Sequence, residues 1–131
     1  MEIRESAENY LETILILSKK LENVRSIDIA NELGYSKPSV SVAMKNLRDS
    51  GHIVVDSDGY ITLTKSGKKI AENMYERHTL LSDYLIALGV DKKNALEDAC
   101  RIEHVISEKS IKMIRLHAEK NRNQTASGKT K

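Results

Sequence analysis

The chain has 131 residues with one cysteine, one proline, no tryptophan and no phenylalanine, and its 21 basic and 19 acidic side chains leave a formal charge of +2. A lone cysteine excludes an intrachain disulfide; no signal peptide and no apolar run long enough to span a bilayer are seen, so a reducing cytoplasm is expected, with no membrane partner. The net charge selects no partner, but basic residues outnumber acidic ones by 6 to 3 over residues 36–70 and by 6 to 1 over residues 111–131. Such local excess can seat nucleic acid while acidic groups elsewhere remain available to a cation.

Residues 6–21 read as a first helix with a core face of Tyr10, Leu11, Ile14, Leu17, Ser18 and Leu21. A second line, Asn9, Glu12 and Ile16, sets an amide oxygen and a carboxylate one turn apart, within reach of one external point; a solvated polar edge has the same spacing. Residues 26–33 form a short helix with Ser26 as its expected cap and Gly34 as its left-handed stop. Ser36, Lys37 and Pro38 open the next helix, proline being tolerated in a first turn that has no intrahelical donor to lose. There Val40, Ala43, Met44 and Leu47 face inward, leaving Pro38, Ser41, Val42, Lys45 and Asp49 outward. Two short helices joined by a tight glycine turn make a helix-turn-helix, whose second member enters the DNA major groove.

After Gly51 the pattern alternates over residues 52–55 and 60–63, with Asp58-Gly59 supplying the turn of a hairpin. A hairpin directly behind a recognition helix is the wing of a winged helix, a fold that also serves as a protein-protein module. Thr64 is placed to cap a long helix from residue 65 to about 88, with a buried line of Ile70, Met74, His78, Leu81, Leu85 and Leu88. His78 takes a place that periodicity gives to an apolar residue; a hydrogen-bonded core histidine and a metal ligand both account for it.

Gly89 breaks that helix and Asp91 can cap the next. On a helix through residues 98–107, Cys100, Glu103 and His104 stand at i, i+3 and i+4, so thiol, carboxylate and imidazole share one face beside an apolar stripe of Ala95, Ala99, Ile102 and Ile106. This is a metal-ligand constellation, expected to be partly buried. An ordinary amphipathic helix with a core cysteine and a solvated Glu-His pair has the same pattern. Residues 107 to about 120 form a last helix with Ile111, Met113 and Ile114 inward, and residues 121–131, polar and without periodicity, are expected to be disordered.

With these segments in place the chain resembles, over roughly residues 4–118, the diphtheria toxin repressor and manganese transport regulator family of metal-dependent transcription factors. The likeness is carried by Glu8-Asn9-Tyr10-Leu11-Glu12, Ser36-Lys37-Pro38-Ser39-Val40-Ser41, Leu63-Thr64-Lys65-Ser66-Gly67-Lys68, Arg77-His78 and the run Ala99-Cys100-Arg101-Ile102-Glu103-His104-Val105-Ile106-Ser107. The resemblance implies a mainly α protein: a winged helix-turn-helix DNA-binding domain at 1–70, an all-helical dimerisation and metal-binding domain at 71–120, and the tail. At this length it implies the short form, without an SH3-like domain. The implied function is a repressor that binds a palindromic double-stranded operator as a homodimer and controls metal-uptake genes.

The resemblance assigns Asn9, Cys100, Glu103 and His104 to the metal site that triggers DNA binding, and Glu12 and His78 to a second metal position, with Glu103 able to bridge. The chain departs from the family at Asn9, where Met or Asp is usual, and at Cys100, where the manganese branch has Glu and the iron branch Cys. Ser82 stands where the iron branch's ancillary site supplies a carboxylate. Thiolate, imidazole and carboxylate suit Fe(II), Co(II), Ni(II) or Zn(II) better than Mn(II), so Fe(II) is the expected ion, the others serving as surrogates. If Cys100 gives only its backbone carbonyl, Mn(II) is the alternative. On the DNA side, Ser36, Pro38 and Val42 are expected at base edges and Lys37, Ser39, Lys45 and the wing at phosphates, with Ser41 on the same face. A second alternative is a winged-helix regulator answering a non-metal ligand. No His-Glu-x-x-His helix, partnered nucleophile or glycine-rich phosphate loop is present, so neither an enzyme nor a small-molecule substrate is expected.

Overall fold

The computed structural model describes residues 5–128, and the side chains of residues 6–121. They form two compact units that divide between Tyr75 and Glu76. The first unit holds helices α1 (Glu5–Lys20), α2 (Ser26–Leu33) and α3 (Lys37–Asp49), strands β1 (Ile53–Val55) and β2 (Ile61–Leu63), and the first half of α4 (Lys65–Ala87). The second half of α4, α5 (Lys92–Ile102) and α6 (Glu108–Gly128) make up the second unit. No helix among the described residues is long and apolar enough to cross a membrane.

In the first unit Leu11, Ile14, Ile29, Val40, Met44, Leu47, Ile53, Ile61 and Ala71 close one apolar core. The helices contribute apolar stripes to it, and the two short strands pair antiparallel, with Ile53 opposite Leu63 and Val55 opposite Ile61. The Asp56 carboxylate accepts from the Asp58 and Tyr60 amides, and Gly59 takes φ +82°, which closes the hairpin. An additional bond from the Ile61 amide to the Val24 carbonyl, 2.7 Å, stitches the hairpin to the segment before α2. Gly67 serves close approach: a Cβ built there would stand 2.0 Å from the His52 carbonyl oxygen.

The expected caps at Ser36, Thr64 and Asp91 each accept from an amide of the first turn they precede. Ser26 does not cap α2. It is the first helical residue, and the Arg25 amide is satisfied by the Asp28 carboxylate reaching back at 2.9 Å. Ser18, Leu21 and Leu88, assigned to core faces by periodicity, are exposed, whereas Leu15 and Thr13 are buried. Leu21 and Leu88 each lie just beyond the end of a helix, where the stripe no longer meets a neighbour.

In the second unit Leu81, Ala99 and Ile111 form the buried centre, with Leu80, Ile102, Ile106 and Ile114 around it. Met113 is exposed rather than inward, two residues on from buried Ile111 and so on the far side of α6. The backbone of α6 runs to Gly128, past the stop expected near residue 120. The residues from Asn121 to Ser127 include neither proline nor glycine, and once a helix is nucleated each further residue adds its own hydrogen bond. The end of the expected tail, 129–131, lies outside the described residues.

Candidate functional site

The exposed face of α3, where the DNA-contacting residues are expected, follows from the way the helix packs. Val40, Met44 and Leu47 are buried, which turns Ser36, Lys37, Pro38, Ser39, Ser41, Val42 and Lys45 to the exposed side. The Ser36 hydroxyl accepts from the Ser39 amide at 3.3 Å and donates to the Ser39 hydroxyl at 2.8 Å, so it is engaged in capping the helix. Val42 is 60% exposed although apolar, and its methyl groups match a thymine methyl better than they match water. One contact absent from the sequence reading joins helix to wing: the Arg25 guanidinium lies 4.7 Å over the Tyr60 ring.

The metal-donor residues divide between the units. In the first, α1 buries Glu12 and leaves Asn9 half-buried; the Asn9 carbonyl accepts from the Thr13 hydroxyl at 2.8 Å. In the second, the residues from Glu103 onward are not helical as expected: α5 stops at Ile102, and Glu103 and His104 lie in the turn that leads to Ser107. Cys100 is exposed instead of partly buried, because it stands about 100° round the helix from the buried line of Ala95 and Ala99. Glu103, four residues after Ala99, continues that line and is wholly buried.

His78 Nδ1 and His104 Nε2 approach the same carboxylate oxygen of Glu103, at 3.7 and 3.6 Å. The His104 side chain is 2% exposed and that of His78 23%. Neither Glu103 carboxylate oxygen has a hydrogen-bond partner among the described residues. Glu103 also occupies the C-cap position of α5, where the helix dipole disfavours an anion. Burying an anion without hydrogen bonds costs several kcal/mol unless a cation compensates it. Two donors about 2.1 Å from a shared ion stand roughly 3.0 to 3.4 Å apart for angles between 90° and tetrahedral. The observed spacings therefore need to close by only a few tenths of an ångström, and the donor set of one carboxylate and two imidazoles fits a divalent first-row metal.

Arg77, next to His78 on α4, is almost fully buried and was marked by the sequence only as part of a motif. Its Nη1 donates to the carbonyls of Glu103 at 3.0 Å and Ile106 at 2.9 Å, and its Nη2 pairs with the Glu108 carboxylate. Ser82 is buried on the same helix, its hydroxyl bonded to the Thr79 carbonyl at 3.2 Å, so it offers no carboxylate for an ancillary site.

Residues 2–61 match the iron dependent repressor N-terminal DNA binding domain, and residues 64–124 match the iron dependent repressor metal binding and dimerisation domain. The chain belongs to this family of metal-dependent transcriptional repressors. Within the family it is 34% identical over 118 residues to the transcriptional regulator MntR of Escherichia coli O6:H1, covering 90% of this chain and 76% of that protein. Among solved structures it is similar to the manganese regulator SloR, with a TM-score of 0.77 and 27% identity over 91% of this chain and 55% of that one. It is likewise similar to a manganese-dependent transcriptional repressor in complex with manganese, with a TM-score of 0.78 and 28% identity over 85% of this chain and 51% of that one. The chain thus spans about half the length of these two structures. The winged-helix unit followed by helices, expected from the sequence, is the architecture of the family.

Proposed function

We propose that this repressor answers Mn(II), held by Glu103, His104 and His78 with Asn9 and Glu12 as further ligands, and that it binds double-stranded operator DNA as a cytoplasmic homodimer. The carrying observation is Glu103: a wholly buried carboxylate without a hydrogen bond, one oxygen of which faces two imidazole nitrogens at 3.6 and 3.7 Å. The preference for Mn(II) over the expected Fe(II) has two supports. The thiol that favoured iron belongs to an exposed residue while Glu103 and the His104 side chain are buried. The relatives above include proteins named as manganese regulators.

An ion at this position supplies positive charge that neutralises the buried carboxylate. The chain's own residues do the rest: the two imidazoles and Glu103 fix one half of the coordination sphere, and the proposed α1 ligands make the freedom of the DNA-binding unit depend on occupancy. Fewer DNA-incompetent arrangements then compete with the competent one, and operator affinity rises by the ~5- to 150-fold typical of allosteric coupling. The division of labour proposed is DNA binding by residues 1–70 and metal binding and dimerisation by 71–120. Exposed Ile86, Leu88, Leu96, Val105, Met113 and Leu116 in the second unit give a partner copy apolar surface to cover. The relatives named above are transcriptional regulators, in keeping with a chain that binds and does not turn over a substrate.

Iron remains the second reading, favoured by the presence of Cys100 one turn before Glu103. Cobalt(II) substitution separates the two. The manganese reading predicts an absorption spectrum without a thiolate-to-cobalt charge-transfer band and a metal affinity unchanged in Cys100→Ala. A strong charge-transfer band that Cys100→Ala abolishes would make the sulfur a ligand and return the assignment to iron.

A further inference from the structure

We propose that Arg77 is a positioning residue that holds the turn bearing Glu103 and His104 in its ligating shape before any ion arrives; this rests on the metal reading above. Between the end of α5 at Ile102 and the start of α6 at Glu108 the chain has no regular structure, yet it carries two of the three donors of this unit. A short turn in that situation would ordinarily sample many shapes, and each would have to be given up on binding.

One guanidinium spans the whole segment. Its Nη1 bonds the carbonyls of Glu103 and Ile106, and its Nη2 reaches the carboxylate of Glu108 in the first turn of α6. The amides of the same turn are bonded the other way, Glu103 to the Ala99 carbonyl and Ile106 to the Ile102 carbonyl, each at 3.0 Å. The carbonyls that Arg77 takes lie beyond the last residue of α5 and before the first of α6, where no intrahelical amide reaches them. Glu108 is 75% exposed, so its ion pair is screened and contributes little; the two carbonyl bonds, made by a side chain 7% exposed, hold the turn.

The geometry also explains why the clamp acts on the donors. Arg77 is the chain neighbour of His78, so the bond from its guanidinium to the Glu103 carbonyl ties the backbone of one donor to that of another. The 3.7 Å spacing of His78 Nδ1 and Glu103 Oε1 is thereby set from α4. Lysine does not reproduce the arrangement, because its one ammonium nitrogen lacks the planar guanidinium that aims Nη1 at both carbonyls while Nη2 pairs with Glu108.

The test is Mn(II) titration by calorimetry on the full chain, comparing wild type, Arg77→Lys and Glu103→Gln. Arg77→Lys is expected to weaken Mn(II) roughly 10- to 100-fold, the usual effect of removing a group that orients a ligand. Its metal-free melting should stay cooperative, and its DNA affinity should recover at saturating Mn(II), a recovery that general unfolding would not allow. Wild-type affinity in Arg77→Lys, with binding lost in Glu103→Gln, would overturn the clamp and leave the metal site standing. Undiminished binding in Glu103→Gln would overturn the site and the clamp with it. Hydrogen exchange on metal-free wild type supplies a check that needs no variant: the amides of Glu103 and Ile106 should be protected before Mn(II) is added, and exchange at the rate of an open loop would overturn the proposal.

Discussion

A carboxylate such as Glu103, wholly buried and taking no hydrogen bond, is tolerated in a fold only where something compensates it. If that compensation is a metal ion, Glu103→Gln has two opposite effects. The metal-free protein should melt at the same temperature or higher, since the buried charge is gone. The gain on adding Mn(II), about 2.7 kcal/mol at a hundredfold excess over Kd for the wild type, should vanish. A variant that still gains stability with Mn(II) would contradict the assignment. Gly67 gives a second prediction at this scale. A methyl group there meets the backbone carbonyl of His52 at 2.0 Å, and backbone cannot step aside as a flexible side chain does. Gly67→Ala is expected to lose roughly 1 to 3 kcal/mol in urea unfolding, the range for an overpacked site, although alanine is the better helix former. Glu103 was legible as a donor from its residue type, and the extension of the Ala95-Ala99 line to position 103 marks its burial. Arg77 was legible only as part of a motif, because its partners are two carbonyls and a side chain 26 to 31 residues away, which no local pattern encodes.

At the level of elements, the stripes and caps written into the sequence recur in the fold wherever the signal is local. Ser36, Thr64 and Asp91 cap the helices they precede because each has a side-chain oxygen within reach of an amide three residues on. Ser26 is the exception: the Asp28 carboxylate, reaching back to the Arg25 amide, moves the cap one residue upstream. The end of α6 was missed for a different reason, since a polar segment without breakers has no apolar stripe to announce its helix. The cap at Asp91 predicts a pH effect. Hydrogen bonds from the Asn94 side chain, and then from its amide, hold the Asp91 carboxyl below the ordinary carboxylate range. The stability it contributes is therefore complete above the unfolded-state pKa and disappears as pH falls through the lower folded value. Melting of Asp91→Ala and wild type, compared across pH, should differ at neutrality and converge in acid; a constant difference at every pH would show that the carboxylate plays no part.

For the whole molecule, the winged-helix unit and the helical unit each explain part of a repressor, and the proposed role of the metal is to couple them. The fold class was legible because helical stripes, a glycine turn and an Asp-Gly hairpin follow one another in the order a winged helix needs. The metal was less legible. Residue type alone put Cys100 beside Glu103 and pointed to iron, and only the packing of α5 separates the exposed thiol from the buried carboxylate. The packing of α3 through Val40, Met44 and Leu47 leaves Val42, Pro38 and Lys45 outward, so Val42→Asp is expected to weaken operator binding at least tenfold without changing Mn(II) affinity, measured on the same samples.

The most direct test of the account is the Mn(II) dependence of DNA binding. A duplex selected from random-sequence DNA with Mn(II) present would be followed by fluorescence anisotropy against wild type and Glu103→Ala, with and without a chelator. The account predicts that Mn(II) tightens wild-type binding by roughly 5- to 150-fold, that chelation reverses it, and that the folded variant shows the metal-free affinity at every Mn(II) concentration. Wild-type affinity that ignores Mn(II), or a variant that responds as fully as the wild type, would contradict it.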